Sequence, residues 1–242
     1  MKKLLPLLCL VAGFSSAASA ADISTMQNLA QSEFRLLSED LGSALSYKPL
    51  APAEPLGITG FDLGLAVTST DISKSSAALA KASGGSSPIS TLIIPKLSVA
   101  KGLPFDIDVA AFISAIPSTN IKLVGGELRY AIMSGGVVLP AVAIRGAITR
   151  LSGVDQLSFD TKSLDLSISK GFAMFTPYAG VGHVWVNSTA NVAGTDGALD
   201  ESFTQGKVFV GANLNLGLVN FALEGDRTGG AASYSLKAGF RW

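Results

Sequence analysis

The chain has 242 residues, of which 18 are acidic and 18 basic, so it carries no basic excess that would favour nucleic acid as a partner. Only 15% of the residues are charged, against roughly 25% in soluble domains. After residue 20 no segment approaches the ~18 continuous apolar residues of a membrane-spanning helix. This combination indicates apolar residues interleaved with polar ones, as in a membrane β-barrel.

Residues 1–20 have the pattern of an export signal. A short basic start precedes an apolar stretch over residues 4–14, which is too short to span a membrane as a helix, and Ala18-Ser19-Ala20 is a typical cleavage site. We expect cleavage after Ala20. Cys9, the only cysteine, lies inside this segment and lacks the small residue that precedes a lipid-modified cysteine. The mature chain would then have no disulfide and no thiolate site.

Residues 21–47 predict an amphipathic helix, because apolar residues recur at steps of three and four along the segment. Residues 48–57 contain three prolines and predict a linker. We expect the helix to act as a plug in the lumen or as a cap at the periplasmic mouth. Binding to the inner leaflet or to a periplasmic partner is the alternative.

Residues 58–242 predict the barrel itself, since the apolar period changes to two at residue 58. Ten strands are expected, with eight or twelve as alternatives. They are 58–70, 90–101, 104–115, 121–133, 137–150, 160–170, 174–188, 203–216, 219–228 and 233–242. Short connections alternate with mostly longer ones, such as 71–89 and 189–202, as expected for periplasmic turns and outer loops. An even strand number places both ends of the barrel on the periplasmic side.

The composition of the two strand faces indicates which one lies inside. The polar face is rich in glycine and alanine, which a narrow lumen needs to make room for a few large side chains. Aromatic residues lie mostly near strand ends, where interfacial girdles belong. We therefore expect the apolar face to point outward into lipid. A soluble periplasmic barrel, with the apolar face inside, is the alternative.

The last strand alternates Tyr234, Leu236, Phe240 and Trp242 with polar residues and continues to the final residue. It resembles the C-terminal strand of Gram-negative outer-membrane β-barrels, which serves as their insertion signal. The segment Pro177-Tyr178-Ala179-Gly180-Val181-Gly182 is similar to strands of small outer-membrane barrels of the OmpA, OmpX and OmpW type. The resemblance implies a protein of the bacterial outer membrane, with outer-membrane lipid and the barrel-assembly machinery as partners.

Thirteen charged residues are predicted to line the lumen. They are Asp62, Lys96, Asp106, Asp108, Glu127, Arg129, Arg145, Asp165, Lys207, Glu224, Asp226, Lys237 and Arg241. We expect Glu127 and Arg129 to face Arg145, and the acidic residues of the ninth strand to face the basic residues of the tenth. The set could be a charged constriction that selects small solutes. The preferred interpretation is a set of salt bridges that fills and stabilises a small barrel.

No catalytic site, cofactor or metal site is expected. His183 is the only histidine, and Trp185 stands where the H-x-S pattern of lipid A deacylases needs serine. We expect His183 to be an interfacial packing residue.

Three functions follow from the sequence, in order of preference. The first is a narrow or gated pore for small solutes. The second is a structural or surface-interaction barrel that works through its outer loops. The third is an outer-membrane hydrolase.

Overall fold

The computed structural model describes residues 29–84, 88–115, 121–190 and 199–242, and it shows a closed antiparallel β-barrel. Two short helices accompany ten strands. In chain order the elements are α1 (Gln31–Leu45), β1 (Phe61–Asp71), α2 (Ser76–Ala82), β2 (Thr91–Leu103), β3 (Ile107–Ala115), β4 (Lys122–Ser134), β5 (Ala141–Ser152), β6 (Leu157–Ser169), β7 (Phe175–Ala190), β8 (Leu199–Leu216), β9 (Val219–Thr228) and β10 (Ala231–Arg241). The predicted fold class and strand number are confirmed.

Each strand pairs with its neighbours in sequence, and β10 pairs with β1 to close the barrel. The closure continues past the ladder, since Phe61 N donates to Trp242 O at 2.8 Å. We call the end where β1 begins and β10 ends the terminal end. The opposite end, which carries α2 and the longer connections, is the loop end.

The outer face of the barrel wall is apolar, and the polar and charged side chains of the strands lie mostly on the inner face. On β1, Leu65 is 55% exposed on the outer surface, whereas the next residue, Ala66, is 8% exposed on the inner one. The same alternation holds around the barrel, and the buried inner set includes many Ser, Thr, Asp, Lys and Arg side chains. A soluble barrel would place its apolar set inside, so that alternative is wrong. The architecture is that of an outer-membrane β-barrel.

Inward-facing glycines make room for inward-facing rings. A Cβ atom on Gly125 would overlap the ring of Phe112, and one on Gly211 would overlap Tyr178. The neighbouring strands pair these residues directly, Phe112 with Gly125 and Tyr178 with Gly211. The expected mixture of small and large residues in a narrow lumen is therefore realised as ring-over-glycine pairs.

The β7–β8 hairpin is longer than the sequence suggested. With 16 and 18 residues, these strands exceed the roughly 9–11 needed to cross a bilayer. β8 begins at Leu199 rather than at residue 203, because residues 199–202 continue the ladder opposite residues 187–190. A second difference is α2, which lies within the segment 71–89 that was expected to be a loop.

The predicted N-terminal helix is present over Gln31–Leu45. The first part of the expected range, residues 21–28, lies outside the described residues, as does the predicted signal peptide. No helix in the described part of the chain is long and apolar enough to cross a membrane.

Candidate functional site: the filled lumen

Helix α1 lies inside the barrel, in the half next to the loop end. Its residue Ser38 donates a hydrogen bond to Ser188 of β7 at 3.0 Å, and Gln31 donates to the carbonyl of Asp200 at 3.1 Å. Both partners lie where β7 ends and β8 begins. The helix therefore lies within the lumen, at the opposite end from the first residue of β1 and the last residue of β10. It reaches that end because residues 46–57 run the remaining length of the lumen before β1 begins.

The helix packs against the wall through an apolar core. Phe34 and Leu37 are fully buried, and they belong to one cluster with the inward-facing residues Phe159, Val184 and Val186 of β6 and β7. Gly42 allows close approach, since a Cβ atom there would lie 2.8 Å from a methyl group of Val186. This half of the lumen, which we call the apolar half, is packed like the interior of a soluble domain.

Ion pairs connect the start of α1 to other segments at the loop end. Arg35 pairs with Glu201 of β8 at 2.9 Å, and Glu33 pairs with Lys81 of α2. The hydrogen bond from Lys81 and a second from the Ala30 amide lower the pKa of Glu33 below its ordinary value of 4.5. Three segments that are distant in sequence are thereby joined.

Residues 46–57, which we call the extended segment, occupy the half of the lumen next to the terminal end. No helix or strand forms there, and no backbone hydrogen bond joins two residues of the segment, so its buried polar groups need other partners. Its three prolines, Pro49, Pro52 and Pro55, each remove one N–H group that would otherwise need a partner. The sequence feature interpreted as a linker is thus suited to crossing a barrel interior.

Side chains of the wall accept hydrogen bonds from three of the other backbone N–H groups, and in one of these Ala53 N donates to the hydroxyl of Ser169 at 3.1 Å. Leu50 N donates to Glu224 at 3.1 Å, and Leu56 N donates to Asp108 at 3.1 Å.

Wall cations in turn donate to backbone carbonyls. Lys207 donates to Tyr47 O at 2.9 Å, Lys96 to Lys48 O at 2.6 Å and Arg129 to Pro52 O at 2.6 Å. The charged side chains of the lumen therefore take the place of water as hydrogen-bond partners of a backbone that forms no helix or strand. The sequence did not predict this role.

Five ion pairs are buried in this half among the described residues. One joins the extended segment to the wall, Lys48 to Asp226 at 2.8 Å. Four join wall to wall: Arg129 with Asp108, Arg145 with Glu127 at 2.9 Å, Lys207 with Asp165 at 3.1 Å and Lys237 with Asp62 at 2.9 Å. We call this half the charged half.

As expected, Arg129 stands opposite Arg145 and Glu127 pairs with Arg145, whereas the expected pairing of β9 acids with β10 bases does not form. Arg129 pairs with Asp108, its direct neighbour on β3. Lys237 stands opposite Ala222 on β9 and Ala66 on β1, so it reaches Asp62 of β1 rather than an acid of β9.

The acids of β9 have other partners. Glu224 accepts from the hydroxyl of Tyr178 at 3.0 Å and from the extended segment, while Asp226 pairs with Lys48.

Asp106 does not face the lumen. It and Phe105 occupy the turn between β2 and β3 with φ of +57° and +66°, and both side chains are exposed. The reason is that β2 continues to Leu103 and β3 begins only at Ile107, so Asp106 falls outside the alternation of the strand. Ser134 donates to its carboxylate at 2.7 Å.

The remaining predicted lumen residues do line the interior, and little space is left between them. A cavity of about 20 Å³ lies beside Tyr47, Pro49, Arg129 and Arg241. Such a volume holds a water molecule or two and no larger solute.

The predicted insertion residues and His183 all lie on the outer face. Tyr234, Leu236, Phe240 and Trp242 are each roughly half exposed or more on the outer face of the last strand. His183 points outward beside Trp185, with ring centroids 6.4 Å apart, and therefore away from the inward-facing acids.

Comparisons with known proteins agree with the barrel architecture but do not extend it. No protein-family model matches the chain, and no curated protein is significantly similar to it. Among solved structures, the β-barrel domain of Pseudomonas aeruginosa OprF aligns at 16% identity with a TM-score of 0.34, covering 75% of this chain and 97% of that one. Ail of Yersinia pestis aligns at 8% identity and 0.34, covering 76% and 99%. Neisserial surface protein A aligns at 11% and 0.31, covering 75% and 95%. Likeness at this level carries no argument about function.

Proposed function

We propose that this protein is a closed barrel of the bacterial outer membrane that acts through the surface at its loop end, with residues 31–57 as a resident plug. The observation that carries the proposal is the apolar core between α1 and the inner wall. A pore whose plug must leave would expose apolar wall residues to water each time it opened. The order of the two leading functions predicted from the sequence is therefore reversed.

The energetics of the apolar half support a resident plug. Phe34, Leu37, Leu41 and Leu45 are all buried, and burial of a large apolar side chain contributes about 1.5–3 kcal/mol. Four such residues contribute roughly 6–12 kcal/mol, which is comparable to the whole stability of a typical domain. Spontaneous withdrawal of the helix would therefore be rare.

The described residues at the loop end offer a surface on which a partner could bind. The first turn of α1, α2 and the projecting β7–β8 hairpin are joined by the Glu33–Lys81 and Arg35–Glu201 pairs. Arg35 also lies over the ring of Phe203, 4.0 Å from its centroid. We call these three segments the loop-end platform. Its rigidity would limit the entropy lost when a partner binds.

The orientation of the platform can be tested by cysteine labelling of intact cells, since Cys9 is the chain's only cysteine. Ala30→Cys places a thiol at the exposed start of α1, and Gly136→Cys places one in an exposed turn at the terminal end. A membrane-impermeant maleimide should label the first variant and leave the second unlabelled until the cells are broken. The reverse pattern would refute the proposal.

Conductance in planar bilayers tests the closed state. The refolded full chain should produce no current steps at moderate voltages. Loss of a cellular phenotype on replacement of α2, with conductance still absent, would support action through the platform.

A gated pore is the second candidate, and one observation favours it. Four of the five buried ion pairs in the charged half join wall to wall, so most wall charges would stay paired if the extended segment left. A polar lumen of this kind could then fill with water. Current steps from the full chain would support this candidate over the first.

An enzymatic role is the least favoured of the predicted functions. Its only histidine candidate, His183, lies on the outer face of β7 rather than among the lumen carboxylates.

A further inference from the structure

We propose that Lys122, Arg150 and Lys162 form a binding site for the phosphate-bearing headgroup of a lipid in the leaflet at the loop end. The three residues lie on the outer face of β4, β5 and β6, and all three are exposed. The inference goes beyond the proposed function, since it concerns the outer wall and holds whether or not the lumen conducts.

Strand register brings the three cations together. Arg150 pairs with Val124 on β4, two residues from Lys122. On β6, Lys162 pairs with Ile148, two residues from Arg150. Each cation is thus a diagonal neighbour of the next, at a spacing of roughly 7–8 Å between Cα atoms. Long, flexible side chains at that spacing can converge on one phosphate group. We call the three residues the basic row.

The basic row lies at the edge of the lipid-facing surface. On each strand the next outward residue towards the terminal end is apolar: Val124 below Lys122, Ile148 below Arg150 and Leu164 below Lys162, each 42% exposed or more. Trp185 stands opposite Lys162 on β7, and tryptophan favours the membrane–water interface. The cations are therefore at the depth of lipid headgroups.

The charges of the row have no charged partner among the described residues. Among the residues that the structure describes, the side-chain nitrogens of Lys122, Arg150 and Lys162 form no ion pair or hydrogen bond, and the one side-chain bond to the row, from Ser152, goes to the backbone carbonyl of Lys122 at 3.4 Å. One carboxylate, Asp160, stands opposite Arg150, but it accepts a hydrogen bond from Asn187 at 3.1 Å. Three cations against one anion leave a net positive surface. Because the surface continues directly into the lipid-facing band, an anionic lipid is the partner that its position and charge favour.

Tryptophan quenching can test the proposal, because Trp185 lies beside the basic row. The chain has two tryptophans, so Trp242→Phe leaves Trp185 as the only one. This chain is refolded into phosphatidylcholine vesicles that contain a minor fraction of brominated phosphatidylglycerol or, in parallel, brominated phosphatidylcholine. Quenching of Trp185 reports which lipid occupies the adjacent position.

The anionic lipid should be preferred by about fivefold at low salt, and the preference should fall as salt screens the charges. Replacement of Lys122, Arg150 and Lys162 by glutamine should reduce the preference to about one. Arg227→Gln is the matched control: Arg227 is an exposed outward cation on β9, opposite Val208 and Ala232 and away from the basic row. This variant should keep the parent preference.

Three results would overturn the assignment. The first is equal quenching by both lipids in the parent. The second is a preference that survives the triple substitution in a chain whose circular dichroism shows an intact barrel. The third is a preference that inorganic phosphate removes but chloride at the same ionic strength does not, which would assign the row to a soluble anion instead of a lipid.

Discussion

The two halves of the lumen are filled by the same N-terminal segment, but the chemistry differs because the secondary structure of that segment differs. Helix α1 satisfies its own backbone hydrogen bonds, so it can rest against the apolar residues Phe159, Val184 and Val186. The extended segment has no such internal bonds, and it lies among Asp108, Glu224 and other charged residues that bond to its backbone. The wall is thus apolar where the plug is helical and charged where the plug is extended.

The difference between the two halves shows a further role of the charged side chains in the lumen. A balanced set of charges in a barrel suggests either a selective constriction or a stabilising network. Here the same groups also solvate a buried backbone, as when Arg129 bonds to both Asp108 and the carbonyl of Pro52. Stability in the charged half should therefore depend on the wall and the extended segment together.

The largest expected effect is in the apolar half. Phe34→Ala removes a fully buried ring from the core between helix and wall, and it should lower the free energy of unfolding by about 3–5 kcal/mol. Leu36→Ala, on the exposed side of the same helix, should cost far less. Guanidinium unfolding of the refolded protein measures both. Similar small losses for the two variants would mean that α1 is not packed against the wall.

The next effect is in the charged half. Asp226→Asn leaves Lys48 buried without its carboxylate and should cost about 3 kcal/mol. Asp106→Asn, in an exposed turn, should cost less than about 0.5 kcal/mol.

A double substitution separates the ion pair from the insertion of the extended segment. Lys48→Met with Asp226→Leu removes both charges and should recover most of the stability lost in Asp226→Asn. Failure of this recovery would indicate that the pair is needed for the segment to insert at all.

A smaller effect is expected from loss of the hydrogen bond between Ser38 and Ser188 in the apolar half. Among the described side chains, this is the one hydrogen bond from α1 to β7. Ser38→Ala leaves the hydroxyl of Ser188 without this partner and should cost about 1 kcal/mol. Ser38→Ala combined with Ser188→Ala should be less destabilising than the single change, since neither buried hydroxyl remains. A double variant as unstable as the sum of the two single variants would show that the two residues act separately.

The smallest effect concerns pH at the loop-end platform. Because the folded-state pKa of Glu33 is below its ordinary value of 4.5, its pair with Lys81 stabilises the protein above that pH, and the contribution is lost as pH falls through the folded-state pKa. Parent and Glu33→Gln should therefore differ in unfolding midpoint near neutral pH and converge in acid. A constant difference down to the most acidic pH would exclude Glu33 as its source.

The sequence predicted the wall well because alternation of side chains is a local property. The ten strands, the outward apolar face and the inward Asp108, Arg129 and Lys207 all follow from a period of two. Asp106 is the exception, because strand boundaries are less certain than alternation within a strand. The turn between β2 and β3 lies later in the chain than predicted, so Asp106 is on the surface instead of in the lumen.

The filling of the lumen could not be predicted in the same way. Lys48 lies in a Pro-rich stretch that reads as a linker, and nothing local indicates that it meets Asp226, 178 residues later. The position of α1 depends on where residues 46–57 run, and hence on tertiary contacts. The three prolines of the segment are one signal in the sequence. A segment that is buried without secondary structure needs few backbone donors, and each proline removes one.

Locking the N-terminal segment in place shows whether it is a resident plug. The hydroxyl oxygens of Ser38 and Ser188 are 3.0 Å apart, so cysteines at both positions should form a disulfide between α1 and β7. Conductance is recorded for the refolded double variant, oxidised and then reduced, beside the parent chain. A resident plug should give no current steps in any of the three states. Steps in the parent and in the reduced variant that disappear on oxidation would contradict it and establish a pore gated by α1.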